Sequence, residues 1–316
     1  MSFNPLIAKV TGELSAKNPQ IESVVELGNQ TFNASPTVLK YVQSLSNTFN
    51  QEELKRLSNL SKSERSDQTA NYYKAIRINS YTAIDINEKY GSLAMDLNYS
   101  LKERYEYNQT FDLVTNNGTG EHIFNQASVF ENMHNLTKKD GYMIHIMPFV
   151  NWQNHGFYNF HPILYLDIAH ANQYELISLG IGEREGKVVI ARNERLETFR
   201  SQTVSRSTES NLFKKIILRI FGQSLNVCKI YVNGLSSKTN KEFDLHSLTG
   251  DIKFPRKGQD LSEEIIKMTR GNPWANLSII SILKKQNDLQ FRYPIQGKYF
   301  QDITDKNIDD EYRDCH

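Results

Sequence analysis

The sequence predicts a doubly wound α/β protein built on a mostly parallel sheet. Three observations carry this. Short apolar runs with an acid or an amide at or next to their end recur between residues 23 and 117: SVVEL (23–27), YTAIDIN (81–87), SLAMDLN (92–98) and FDLVTNN (111–117). Strands buried on both faces of a parallel sheet read this way. Segments of helical period lie between and after these runs, as crossover connections require. Finally, the first run is followed by Gly28, a polar loop and Ser35-Pro36, which pairs a good helix N-cap with a residue suited to the first helical position.

Each element follows in order. Residues 1–20 predict a short helix and a polar link. Val38, Leu39, Val42 and Leu45 continue the helix that Ser35 opens. The polar stretch 50–71 predicts a surface helix and a flexible loop, inserted before the second strand. After the fourth strand, Ile123, Ala127, Phe130 and Met133 recur at helical spacing. Lys138, Lys139 and Gly141 predict the end of that helix. YMIHIMPFV (142–150) is a fifth strand, ILYLDIAHAN (163–172) a helix and YELISLGIG (174–182) a sixth strand. Beyond it, VVIAR (188–192) and KIYVNGL (229–235) read as strands flanking a loop at 200–210. LFKKIILRIFG (212–222) reads as an amphipathic helix that packs on its own domain. LSIISIL (277–283) is a last apolar strand. The expected organisation is an N-terminal helical segment (1–20), a core (21–182), an insertion or substrate/oligomerisation subdomain (183–273), a final core strand (274–300) and a flexible tail (301–316).

Composition limits the function. With 316 residues, one enlarged domain or two small ones are expected, at roughly 100–200 residues per domain. Apolar residues at 39% and charged residues at 23% exclude a wholly disordered chain. Lysine plus arginine is 37 and aspartate plus glutamate 36, a net charge of +1, which argues against a generic electrostatic nucleic-acid binder. Two cysteines, Cys228 and Cys315, make neither a disulfide framework nor a zinc site. No apolar h-region opens the chain and no apolar run reaches about 18 residues, so a cytoplasmic protein without stable membrane insertion is expected.

On a doubly wound sheet, ligands bind beyond the carboxyl ends of the strands. Glu26 and Gly28, Asp85, Asp96, and Asn116, Asn117 and Gly118 would share that edge. A carboxylate there can accept the hydroxyls of a ribose, and a glycine lets backbone approach a ligand closely. The loop ELGNQTFNASP has one glycine, so it lacks the dinucleotide fingerprint; no phosphate-binding P-loop is present either. Few glycines suit a nucleoside cofactor without a pyrophosphate, namely S-adenosylmethionine.

Through VVELGNQ (24–30), AIDIN (83–87), MDLN (95–98) and FDLVTNNGTGEHIFNQ (111–126), the chain resembles class I S-adenosylmethionine-dependent methyltransferases. HGFYNFHP (155–162) and FRYPIQGKY (291–299) resemble a subgroup with an H-G-F-Y-N-F-x-P segment. The resemblance implies a Rossmann-like sheet of seven strands, with 277–283 inserted antiparallel beside the sixth. It also implies that Glu26 and Gly28 line the methionine part of the cofactor. Asp85 would hold the ribose, Ile86 would lie against the adenine, Asp96 and Leu97 would border it, and Asn116 and Gly118 would close the methyl-transfer side. Asn29 and Gln30 belong to the same cofactor loop, at positions where family members usually carry glycine. A non-catalytic methyltransferase-like binding protein is the alternative, and a nicotinamide-dependent oxidoreductase is disfavoured by the missing fingerprint.

Six of the eight histidines fall within 122–170. An imidazole titrates near neutrality and suits removal of a proton from an acceptor oxygen or nitrogen. His155 is the first candidate, in the segment after the fifth strand, where Gly156 would allow a sharp bend. His122 is the second, as the residue that opens the helix after the fourth strand. His145, inside a strand, is expected to be buried and hydrogen-bonded. The spacing of His155, His161 and Asp167 matches no metal motif, so no metal is expected. Trp152, Phe157, Tyr158 and Phe160 would wall a pocket for a small-molecule or glycan-precursor acceptor, and the insertion could supply a homo-oligomer contact.

Overall fold

The computed structural model describes residues 2–183, 188–192, 229–233, 241–244 and 276–295. The amphipathic segment 212–222, both cysteines and the tail 301–316 lie outside them.

A short strand β1 (Ser2–Phe3) leads into α1 (Pro5–Lys17), capped by Asn4, whose side chain accepts the N–H groups of Leu6 and Ile7. The central strand β2 (Ser23–Leu27) follows as expected, then a two-residue strand β3 (Thr31–Phe32) that pairs parallel with β1. Ser35 caps α2 (Pro36–Leu45), accepting the N–H of Val38, as the sequence predicts. The polar stretch becomes α3 (Gln51–Ser58) and α4 (Thr69–Ala75). It is less loose than expected, because Leu54, Leu57, Tyr72 and Tyr73 are fully buried.

Next come β4 (Ser80–Asp85), β5 (Leu93–Ala94), α5 (Leu101–Tyr105), β6 (Phe111–Asn117), α6 (Gln126–Leu136), β7 (Thr137–Val150), α7 (Pro162–Ala171) and β8 (Glu175–Glu183). Strand β5 is much shorter than SLAMDLN suggests. Beyond Ala94 the backbone turns, with Asp96 Oδ1 accepting the N–H of Asn98 at 2.9 Å, a local turn that competes with extended pairing. Strands β9 (Val188–Arg192), β10 (Lys229–Asn233) and β11 (Lys241–Asp244) precede the last, β12 (Leu277–Lys284).

One ten-stranded sheet runs in the order β11-β10-β9-β8-β12-β7-β6-β2-β4-β5. Its last seven strands form the Rossmann-like arrangement implied by the resemblance. Strands β5, β4, β2, β6 and β7 are parallel, and β12 lies between β7 and β8, antiparallel to both. The described parts of 183–273 extend the sheet outward from β8 as an antiparallel meander.

Alternation along the strands builds two cores. Val24 faces α1–α4 with Leu39, Leu54 and Tyr72, whereas Val25 and Leu27 face α5–α7 with Val129, Met133 and Ile168. Among the described residues, no helix is long and apolar enough to cross a membrane.

The end of α6 corrects the sequence reading. Lys138, Lys139 and Gly141 do not cap the helix, because Thr137 already begins β7 and all three lie in that strand. The terminal carbonyls are satisfied from elsewhere. Thr137 Oγ1 donates to Met133 O at 2.6 Å. The buried Lys285, just beyond β12, donates to His134 O at 3.1 Å and Thr137 O at 3.0 Å. Hydrogen bonds from a charged group contribute about 1.5–3 kcal/mol each, and the orphaned carbonyls would otherwise be dehydrated. Lys285→Met loses both bonds but also relieves the cost of burying the ammonium, so it should lower the unfolding free energy by about 2 kcal/mol in a denaturant titration, whereas Lys284→Met, at a partly exposed site, should change it by less than about 0.5 kcal/mol.

Candidate active site

The sheet changes direction between β2 and β6, and the loops leaving these strands part at that point. Gly28 opens the first loop with φ +82°, a conformation that favours glycine. A Cβ there would fall 2.1 Å from Thr119 Oγ1, so only glycine lets the β6 loop close over it. Gly118 has φ +74°.

The polar residues of this loop stitch it to its neighbours. Gln30 Nε2 donates to Asn117 O at 3.2 Å. Asn29 Nδ2 lies within hydrogen-bonding distance of Asn87 Oδ1, Lys89 O and Ser92 Oγ, tying the β2 loop to the segment after β4. Side-chain amides thus do the bridging in a loop with a single glycine.

The structure brings most of the expected cofactor residues to this edge. Asp85, half-buried at the end of β4, accepts the N–H of Asn29 at 2.9 Å on Oδ2 and the amide of Asn87 at 2.6 Å on Oδ1. Ile86 beside it is 72% exposed. Asp96 anchors its own turn, and Leu97 is buried against Ile84 and Leu101. Asn116, fully buried, accepts the N–H of Gly120 at 2.9 Å on Oδ1, while its Nδ2 has no partner. The buried Gln30 Oε1 is likewise without a partner. Buried polar atoms without partners are rare and mark places where a ligand or water completes the set.

Glu26 is placed differently from the rest. It lies in mid-strand with 1% exposure and faces the first core. Tyr73 donates to one carboxylate oxygen at 2.8 Å and Tyr81 to the other at 3.0 Å. Burial pushes its carboxyl up to about 7, opposed by these hydroxyl donors.

The expected catalytic histidines come together. Their rings are 5.0 Å apart, although His122 and His155 sit on different loops. Glu121, which the sequence reading overlooked, joins them. Its Oε1 lies 3.2 Å from His155 Nε2 and 3.7 Å from His122 Nε2. Its side chain is fully buried, and desolvation pushes the carboxyl up to about 7. His122 closes the 3-10 turn Gly120–His122 and does not open α6, whose cap is Asn125. Its imidazole is held below its ordinary value by desolvation and by His155, rather than by a helix terminus. Gly156 serves close approach, not a bend: a Cβ there would meet Glu121 Cγ and O at 2.8 Å. The backbone N–H of Phe157 donates to Glu121 O at 2.8 Å, and Trp152 packs on the His155 ring at 4.7 Å.

The other aromatic candidates divide. Phe160 is buried, Tyr158 donates to Phe124 O, and Phe157 is 67% exposed, edge-on to the exposed Phe124. Trp152 donates to Leu277 O at 2.8 Å, fixing the loop to β12. His145 is buried as expected, but its Nδ1 has no partner, and burial lowers its imidazole to about 3. His161 caps α7, its Nδ1 accepting the N–H of Ile163. A groove of about 690 Å³ at the amino ends of β6 and β7 is lined by Lys102, His134, Lys138, Lys139 and Lys285. Lys285 is already spent on backbone carbonyls, and the groove lies away from the strand ends that carry the acids and amides.

No family model matches the chain, and no curated protein sequence matches it. Among solved structures, it is similar to the O-methyltransferase of a trans-AT polyketide synthase multienzyme from Brevibacillus brevis in complex with S-adenosyl-L-homocysteine. The identity is 11% over 90% of this chain and 73% of that one, with a TM-score of 0.34. A SAM-dependent methyltransferase from Archaeoglobus fulgidus gives 13% over 88% and 94%, with a TM-score of 0.36. The plantazolicin methyltransferase BpumL in complex with SAH gives 12% over 89% and 83%, with a TM-score of 0.30.

The buried Glu26 sets a pH dependence. Its folded-state value of about 7 lies above the ordinary 4.5, so the folded protein holds the proton more tightly. Its stabilising effect is full below pH 4.5 and is lost as pH rises through 7, by ~3 kcal/mol at 1.36 kcal/mol per unit. Glu121, His134 and His145 carry shifted values of their own, so the test is a difference: from pH 5 to pH 8 the unfolding free energy should fall about 2–3 kcal/mol further in the wild type than in Glu26→Gln, measured by chemical denaturation.

Proposed function

We propose that the chain transfers a methyl group from S-adenosylmethionine to an oxygen or nitrogen of a small-molecule acceptor. The observation that carries this is the strand order β5-β4-β2-β6-β7-β12-β8 with β12 reversed, which puts Gly28, Asp85 and Asn116 around a single switch point. The residues present fit the cofactor. Asp85 offers a carboxylate of the kind that binds ribose hydroxyls, Ile86 an exposed apolar surface for a base, and Asn116 Nδ2 and Gln30 Oε1 unsatisfied polar atoms beside Gly28 and Gly118. When bound, the cofactor supplies an electrophilic methyl on a sulfonium.

The chain's own contribution is to hold the acceptor and remove its proton. His155 is placed for the second task, with Glu121 behind it to orient the ring and stabilise its charged form, as a carboxylate does for a catalytic imidazole. His122 completes the wall, and the exposed Phe124–Phe157 pair offers an apolar surface to an aromatic or sugar-containing acceptor.

A non-catalytic binding protein is the second reading. It is favoured by Thr119 filling the approach to Gly28 and by Asp85 already accepting two hydrogen bonds.

Calorimetry with S-adenosylhomocysteine separates these. Binding to the wild type is expected, and Asp85→Ala should weaken it about 10–100-fold, the value of one or two charged hydrogen bonds. Failure to bind at millimolar concentration would sink both the transfer and the cofactor assignment. His155→Ala should keep that binding but lower turnover by about 10²–10⁴ in an acceptor screen read by homocysteine-product release. Unchanged turnover there would remove His155 from the proton-transfer role, whereas binding of S-adenosylhomocysteine with no turnover in the screen would favour the non-catalytic reading.

A further inference from the structure

Three side chains with affinity for metal ions converge beside the switch point. The carboxylate of Glu121 and one ring nitrogen each from His122 and His155 all lie within 4.8 Å of one another. Two atoms bound to one cation at about 2.1 Å, at tetrahedral or octahedral angles, stand roughly 3.0–3.4 Å apart. Glu121 Oε1 and His155 Nε2 already have that spacing at 3.2 Å, and His122 Nε2, on a partly exposed ring, lies just beyond it at 3.7 Å.

A second observation points to a missing cation. The Glu121 side chain is fully buried, and its other oxygen, Oε2, has no hydrogen-bond partner. A buried carboxylate is stable only when paired, hydrogen-bonded or coordinated to a metal. The local backbone supports this arrangement. Glu121 and His122 are consecutive on a tight 3-10 turn, and the missing side chain of Gly156 lets the His155 loop close against Glu121.

We propose that Glu121, His122 and His155 form a binding site for a divalent first-row transition metal. Two imidazoles and one carboxylate suit zinc, cobalt, nickel, iron or manganese better than magnesium or calcium, and leave positions for water or an acceptor oxygen. The inference deepens the methyl-transfer reading. A cation here draws in an acceptor hydroxyl and lowers its pKa, so that the histidines act as ligands in place of a free base. Metal uptake is measurable without any methyl donor.

The test uses the full chain, stripped with a chelator and titrated with Co²⁺, followed by visible absorption and calorimetry, with Mg²⁺ in parallel. The expected result is one Co²⁺ per chain, displaced by Zn²⁺, with no comparable Mg²⁺ binding. His122→Ala and His155→Ala should each weaken uptake at least tenfold, and the double variant should abolish it. Both rings are partly exposed, so these variants keep the fold, which thermal unfolding by circular dichroism verifies. Absence of Co²⁺ binding at micromolar concentration overturns the proposal, as does undiminished binding by the folded double variant. Co²⁺ binding without homocysteine-product binding would sink the methyl-transfer reading alone, and the converse would sink the metal site alone.

Discussion

A buried carboxylate in the middle of the central strand constrains much of this molecule. Glu26 replaces an apolar residue where a parallel sheet would normally place one, and the cost of dehydrating it must be offset on the spot. Two tyrosine hydroxyls do so, one from α4 and one from β4. Tyr73 can reach the carboxylate only because α3 and α4 pack down on the sheet, so the helical excursion between β2 and β4 is a structural requirement of Glu26. Tyr72 in turn packs at a tilt against Phe3 and Phe32, and Tyr73 meets Phe3 edge-on, which joins the β1–β3 ladder to the same cluster. The loop after β2 is thereby fixed from below by aromatic packing and from above by Asn29 and Gln30.

The same logic recurs at Glu121. There the compensating groups are two histidines rather than two tyrosines, and one oxygen is left without a partner. The two acids differ in surroundings. Glu26 is enclosed by core and both its oxygens are used, whereas Glu121 faces partly exposed rings on loops that also carry the exposed Phe124 and Phe157. Glu26 ties the sheet to its helices, and Glu121 carries the proposed metal site.

Much of this was readable in the amino-acid sequence. Strands 23–27, 111–117 and 188–192 stand where the apolar runs put them, and Ser35-Pro36 opens its helix, because these signals are local. Gly28, Asp85 and Asn116 share an edge because parallel strands always bring their carboxyl ends together. What escaped depended on contacts distant in sequence. Glu121 is separated from His155 by 34 positions, so no spacing rule links them. Lys138, Lys139 and Gly141 resemble a cap for α6, while the real donor, Lys285, lies just beyond β12, 151 residues from the carbonyl of His134. The tightening of 50–71 likewise depended on Glu26, which no local pattern in that polar stretch reveals.

Strand β12 has a consequence for how the chain reaches its native state. It lies between β7 and β8 and pairs with both, and Lys285, just after it, finishes the junction between α6 and β7. Until residues 277–284 have been synthesised, β7 and β8 each present an apolar edge with unpaired backbone groups. Such edges recruit other strands. The emerging chain therefore has a prolonged interval in which it must be shielded from its own copies, and closure of the sheet is a late event governed by the slow search for a distant partner.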